Sequence, residues 1–251
     1  ELTPAQQKAL EKIQEQFAQK NTVLLQGVAA SGKTLLYSQL IEQTLAQGKN
    51  VLYLVPEVGL SVQLTNRLEH FFGDKMSVYH GKYSSHERVE VWNNVLANKP
   101  KAQFVLGVRA AVCLPFHDLG LIIVDEEHDL SYKQEQTPPR FQVRDTALML
   151  AHLHGAKTLL GSATPSAESY YNAQAGKYGF VQLLERYEGI HPPSIELVDL
   201  KEKTKKKETQ GHFSDTLLEA IEQTLAQHRQ VILLQNRRGY APYLQCDKCD
   251  T

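Results

Sequence analysis

The run Gly27-Val28-Ala29-Ala30-Ser31-Gly32-Lys33-Thr34 fits G-x-x-x-x-G-K-[ST], a spacing of residue types suited to a triphosphate. Glycine at 27 and 32 lets the backbone turn tightly, so that successive N–H groups and the N-terminus of a following helix face phosphate oxygens. Lys33 then reaches the β- and γ-phosphates, and the Thr34 hydroxyl ligates Mg²⁺. Ser31 and Ala30 complete the loop; a β-carbon at 30 costs little only if the backbone there keeps a negative φ. About 90 residues on, Asp125-Glu126-Glu127-His128 follows the apolar run Leu121–Val124. Acidic groups where a buried strand emerges suit metal and water chemistry. Asp125 is expected to hold Mg²⁺, Glu126 to orient or deprotonate an attacking water, and His128 to relay between nucleotide and a neighbouring domain. The two motifs together predict phosphoryl-transfer chemistry on a nucleoside triphosphate with Mg²⁺.

These motifs need strands to launch them and helices to follow. The apolar period switches repeatedly between helical spacing and short β-branched runs, the pattern of an α/β protein with a parallel sheet. Strands are predicted at Thr22–Gln26, Asn50–Val55, Met76–Tyr79, Gln103–Leu106, Leu121–Val124 and Thr158–Leu160. Thr3-Pro4 reads as cap and first position of a helix to about Ala18, and Ser84 or Ser85 caps another to about Leu96. A first domain is assigned to residues 1–200. Residues 201–213 follow as a linker, because 201–208 contain no apolar side chain and form no packed face. From 214 to 251 a helix capped by Ser214 and a strand at Val231–Leu234 suggest the start of a second α/β lobe.

Composition narrows the remaining possibilities. With 27 Lys and Arg against 28 Asp and Glu, the formal charge is -1, so any nucleic-acid partner must be held by local sites and not by bulk charge. No stretch approaches the roughly 18 apolar residues of a membrane span, and no membrane association is expected. Three cysteines, two of them the pair Cys246 and Cys249, form no disulfide framework and suit a reducing cytoplasm. The chain opens at Glu1 without a leader and closes just after the CxxC, and is expected to be a piece of a longer protein.

Gly161-Ser162-Ala163-Thr164-Pro165-Ser166 resembles the SAT motif of superfamily-two helicases, and Asp125–His128 resembles their DExH box. The likeness extends to Val55-Pro56-Glu57, His80-Gly81 with Glu87-Arg88 and Trp92, and Gly107-Val108-Arg109. It continues through Asp125–Gln134, Arg144-Asp145 and Asn236–Pro242 ahead of the CxxC. On these motifs the chain resembles the bacterial primosomal helicases of replication restart. The resemblance implies a RecA-like P-loop lobe with a parallel sheet flanked by helices, followed by the truncated start of a second such lobe. It also implies ATP-dependent 3′-to-5′ translocation on single-stranded and forked DNA, in company with primosome and single-strand-binding proteins.

Gln6 then corresponds to the adenine-reading amide. Arg109 is expected to hold a DNA phosphate, and the loop carrying Tyr132, Lys133 and Phe141 to stack on bases and signal to the ATP site. Cys246 and Cys249 become two ligands of a Zn²⁺ site completed only in the full-length protein, with no zinc expected in this piece. Two other readings of the phosphate loop are a small-molecule kinase and a nucleotide-binding scaffold without turnover. The first lacks an identifiable lid with catalytic arginines and leaves the SAT motif unexplained.

Overall fold

The computed structural model describes residues 2–57, 59–81, 83–135, 138–186 and 194–234. By its contacts the chain divides into two compact units, Glu1–His191 and Pro192–Thr251.

The first unit is an α/β layer structure. Its strands are β1 (Thr22–Gly27), β2 (Asn50–Leu54), β3 (Met76–Tyr79), β4 (Phe104–Gly107), β5 (Leu119–Asp125), β6 (Lys157–Ser162) and β7 (Gly179–Leu183). Its helices are α1 (Pro4–Gln19), α2 (Lys33–Ala46), α3 (Val62–Phe72), α4 (Ser85–Leu96), α5 (Val143–His154) and α6 (Ala167–Gln174). The strands form one sheet in the order β3-β4-β2-β5-β6-β1-β7, with every pairing parallel. The six expected strands are present, Met76–Tyr79 with the predicted ends and the others with ends shifted by at most two residues. The seventh, β7, was not anticipated; it pairs along the outer side of β1.

Residue alternation explains why both faces are covered. Val23, Leu25, Val51, Tyr53, Leu121 and Ile123 belong to one buried cluster, with Leu10 and Ile13 of α1 and Leu36, Tyr37 and Ile41 of α2. Leu24, Leu52, Leu54, Ile122 and Val124 belong to the other, with Val91 and Val95 of α4 and Val143, Ala147 and Ala151 of α5. Successive strand side chains point to opposite faces, so a near-continuous apolar strand fills two cores at once. The helix entries follow capping chemistry: Thr3 and Gln6 form a capping box on α1, as Ser84 and Glu87 do on α4.

The second unit contains α7 (Leu200–Lys205), the two-stranded pair β8 (Thr209–Gln210) and β9 (Phe213–Ser214), and α8 (Asp215–Ala226). Two sequence expectations need correction here. The charged run read as a solvated linker without a packed face is helical over Leu200–Lys205, because the Asp199 side chain caps it and Lys206 pairs with Glu202 one turn away. No strand forms over 231–234, where Ile232 and Leu234 are exposed. Asn236–Pro242, Cys246 and Cys249 lie outside the described residues. Among the described residues no cluster of metal-ligating side chains occurs, and no helix is long and apolar enough to cross a membrane.

Candidate functional site

The C-terminal ends of β1, β5 and β6 lie side by side, so the loops they launch meet at one edge of the sheet. After β1 the chain turns through the phosphate loop and enters α2, with Gly32 at φ 84 as the residue before the helix. A β-carbon on Gly32 would collide with the Gln6 carboxamide, and one on Gly27 would lie 2.8 Å from the Lys33 stem, so both glycines are required by close approach. The Lys33 ammonium donates to the Gly27 carbonyl at 2.9 Å and stands 3.7 Å from Glu126 Oε1. Ser31 is buried, and its hydroxyl has no hydrogen-bond partner among the described residues. An orphaned buried donor in a loop of this type fits a bound phosphate. Ala30 sits at φ 60, on the left-handed side and not at the negative φ under which its β-carbon would be unstrained.

Gln6 is buried and engaged at both ends of its amide. Its Nε2 donates to the Ser31 carbonyl at 2.9 Å, and its Oε1 accepts from the Thr3 N–H at 2.9 Å. The side chain expected to read adenine therefore also pins the start of α1 to the phosphate loop.

Asp125 closes β5 under two tyrosines. Tyr37 donates to its Oδ1 at 2.9 Å, Tyr53 to its Oδ2 at 3.1 Å, and the Glu126 N–H to Oδ1 at 3.1 Å. Gly161 makes this possible, since a β-carbon there would strike the Tyr37 hydroxyl. Burial, then the neighbouring Glu126 charge, push the Asp125 carboxyl above its usual range, against the pull of Tyr37, Lys33 and Tyr53. Burial and the adjacent Asp125 drive the hydroxyls of Tyr37 and Tyr53 well above theirs, so both remain donors. Glu126 occupies φ 46, a left-handed conformation that its neighbours must hold. His128 Nδ1 lies 2.7 Å from Ser162 Oγ and 3.7 Å from Glu126 Oε2, joining the acidic turn to the SAT segment.

The residue that the sequence reading passed over is Glu127. Fully buried, it accepts from the Ser166 N–H at 2.6 Å, Ser166 Oγ at 2.9 Å, Ser169 Oγ at 2.8 Å and Arg144 Nη1 at 3.3 Å. Burial works against the Arg144 charge, yet hydrogen bonds and charge from Asp145 and Glu127 hold its pKa above the usual value. This network ties β5, α5 and the N-terminus of α6 together. The quoted motifs contained Glu127, Arg144 and Ser166 but not Ser169, and nothing in their spacing paired them.

The DNA-facing candidates are arranged differently from expectation. Tyr132 is buried and its hydroxyl donates to the Asp125 carbonyl at 2.7 Å, which leaves no free ring face for a base. Its expected stacking role is therefore corrected to a structural one at the end of β5. Arg109 donates to the carbonyls of Ser131 and Lys133 at 3.2 and 3.4 Å, gripping the chain on both sides of Tyr132. Lys133 is exposed and paired with Glu135 at 3.0 Å, and it bridges to Gln142. Phe141 is partly buried against the core formed by β5 and α5.

A phosphate loop facing an acidic turn across the carboxyl edge of a parallel sheet defines a P-loop nucleotide-binding lobe. Residues 3–173 match the family model described as "DEAD/DEAH box helicase", and the chain belongs to that family. Family membership carries use of ATP and Mg²⁺. The chain is 39% identical over 250 residues to the replication restart protein PriA of Bacillus subtilis, covering 99% of this chain and 31% of that protein. It is likewise 39% identical to PriA of Chlamydia pneumoniae, covering 99% and 33%. The chain thus spans about a third of the length of the curated relatives it matches. In fold it resembles RecG bound to a three-way DNA junction, with TM-score 0.60 at 21% identity over 90% of this chain and 28% of that one.

Proposed function

We propose that this chain is the ATP-binding lobe of a replication-restart helicase that moves 3′ to 5′ along single-stranded and forked DNA. The observation that carries the reading is the convergence of Lys33 on Glu126 at 3.7 Å, beside the orphaned Ser31 hydroxyl. Bound ATP supplies the phosphoryl bond to be cleaved, and Mg²⁺ neutralises charge on its phosphates. Lys33 exchanges its contact with the Gly27 carbonyl for phosphate oxygens, with Gly27, Ala30, Ser31 and Gly32 forming the surrounding cradle. Thr34 and Asp125 hold the metal. Glu126 orients the attacking water, and His128 passes the change in its surroundings to Ser162 and the SAT segment. Gln6 serves the nucleotide by fixing the loop from α1.

On the DNA side, Arg109 meets a phosphate, and Lys133 and Phe141 lie along the strand. A phosphate competing for Arg109 draws it from the two carbonyls flanking Tyr132, whose hydroxyl contacts the Asp125 backbone; binding at the strand is so conveyed to the acidic turn. In the longer protein, Cys246 and Cys249 contribute to a Zn²⁺ site. Its setting is the cytoplasm, with primosome and single-strand-binding proteins as partners. The test is ATP hydrolysis with and without single-stranded DNA, on this chain and on the full-length protein. DNA-stimulated turnover in the full-length protein that Lys33→Ala abolishes is expected. A DNA-independent rate equal in both proteins would instead favour a scaffold or a kinase.

A further inference from the structure

Three strand tips converge on one cavity. Glu57 after β2, His80 and Gly81 after β3, and Val108 after β4 all line a hollow of about 380 Å³, at the small end of ligand-sized pockets. Gly107 brings the walls together: a β-carbon there would strike Ala111 and lie 3.2 Å from the Tyr79 carbonyl, which accepts the Val108 N–H at 3.1 Å. Between the β2 tip, the wall of the hollow nearest the nucleotide loop, and β1, which launches that loop, stand β5 and β6. At the usual strand spacing that separation is roughly 14 Å, so the hollow is not part of the nucleotide site.

Its lining is aromatic and dual in character. The rings of His80 and Tyr83 lie 4.0 Å apart at 45°, both partly exposed. The Tyr83 N–H donates to the His80 carbonyl at 3.3 Å, and the Ser84–Glu87 capping box sets the start of α4 next to Tyr83. Val78 and Val108 add apolar surface, while Thr65 and Asn66 offer a hydroxyl and an amide able both to donate and to accept. An aliphatic side chain inserted here would leave those polar groups unpaired, whereas a heteroaromatic edge would satisfy them. Charge selects further. Burial, then the Glu87 and Glu69 charges, raise the Tyr83 pKa, and Glu57 lines the wall, so the hollow disfavours phosphate and admits a neutral ring.

We propose that this cavity receives one unstacked nucleobase of single-stranded DNA, stacked on the Tyr83–His80 pair while its phosphates remain outside. The inference rests on the DNA-tracking function proposed above, and it moves base stacking from buried Tyr132 to Tyr83. The test is an anisotropy titration of the full-length protein with single-stranded oligonucleotides that are abasic at one position at a time. For the wild type, one abasic position should weaken binding about 5-fold to 150-fold, the range for one base–aromatic stack. Tyr83→Ala should weaken the intact oligonucleotide by a similar factor and erase the positional dependence, while Tyr83→Phe retains both. Should Tyr83→Ala fail to fold, His80→Ala takes its place with the same expectation. Positional dependence unchanged in these variants, or absent from the wild type, would overturn the site alone. A wild type that binds no single strand would overturn the proposed function and the site together.

Discussion

Adjacent alanines in the phosphate loop should respond in opposite directions to the same substitution. Ala30 and Ala29 are both exposed, so Ala→Gly removes almost no packing at either. Ala30 sits at φ 60, while Ala29 has no positive φ. An L-residue in the left-handed region costs about 1–2 kcal/mol, and a glycine's extra unfolded-state freedom costs about 0.5–1 kcal/mol. Ala30→Gly relieves the first and incurs the second, a net gain of about 0.5–1 kcal/mol; Ala29→Gly incurs only the second. The variants therefore differ by about 1–2 kcal/mol, or about 2–8 °C in melting temperature for a unit of this size, with Ala30→Gly the more stable. Calorimetric melting of the nucleotide-free protein reads this directly. Shifts of the same sign in both variants, or Ala30→Gly melting below wild type, would refute the argument from backbone conformation.

Two further substitutions probe the buried carboxylates. Because the folded pKa of Asp125 is raised, its contribution to stability is fully present below the unfolded value near 3.9 and is lost as pH rises through the folded value. Asp125→Asn should thus gain melting temperature relative to wild type as pH rises above about 4, while losing ATP hydrolysis; a difference independent of pH would contradict this. Glu127→Ala leaves four donors without their acceptor and should destabilise by about 3–5 kcal/mol. Adding Arg144→Met should recover part of that loss in urea denaturation, and strictly additive effects would show that the two side chains do not form a unit.

The sheet was legible because its strands announce themselves twice, once by apolar runs and once by the motifs at their ends. Residues 179–183 were missed because Gly-Phe-Val-Gln-Leu is short and opens on a glycine, and only pairing with β1 makes it a strand. The helical 200–205 segment was missed for the opposite reason: its helix rests on a cap and ion pairs, which leave no apolar period to detect. At the site, the residues that each motif contributes were readable and the geometry between motifs was not. Lys33, Thr34, Asp125 and Glu126 follow from local patterns, whereas Tyr37 and Tyr53 reach Asp125 across 88 and 72 residues of sequence. Tyr132 shows the same limit, since an aromatic in a polar loop signals exposure until the fold turns it inward.

The acidic turn also explains how a strained residue can sit where chemistry is expected. Glu126 lies at φ 46 between two residues that cannot move independently. Asp125 is tied on one side by two tyrosine hydroxyls, with Tyr132 on its carbonyl, and Glu127 on the other by two serines and an arginine. A strain of about 1–2 kcal/mol at one position is small against that many buried hydrogen bonds, each contributing about 1 kcal/mol or more. The anchors therefore determine the backbone, and the backbone places the Glu126 carboxylate near both Lys33 and His128. The anchors on the Glu127 side come from α5 and from the segment after β6, so Glu126 is held between elements on both sides of the turn.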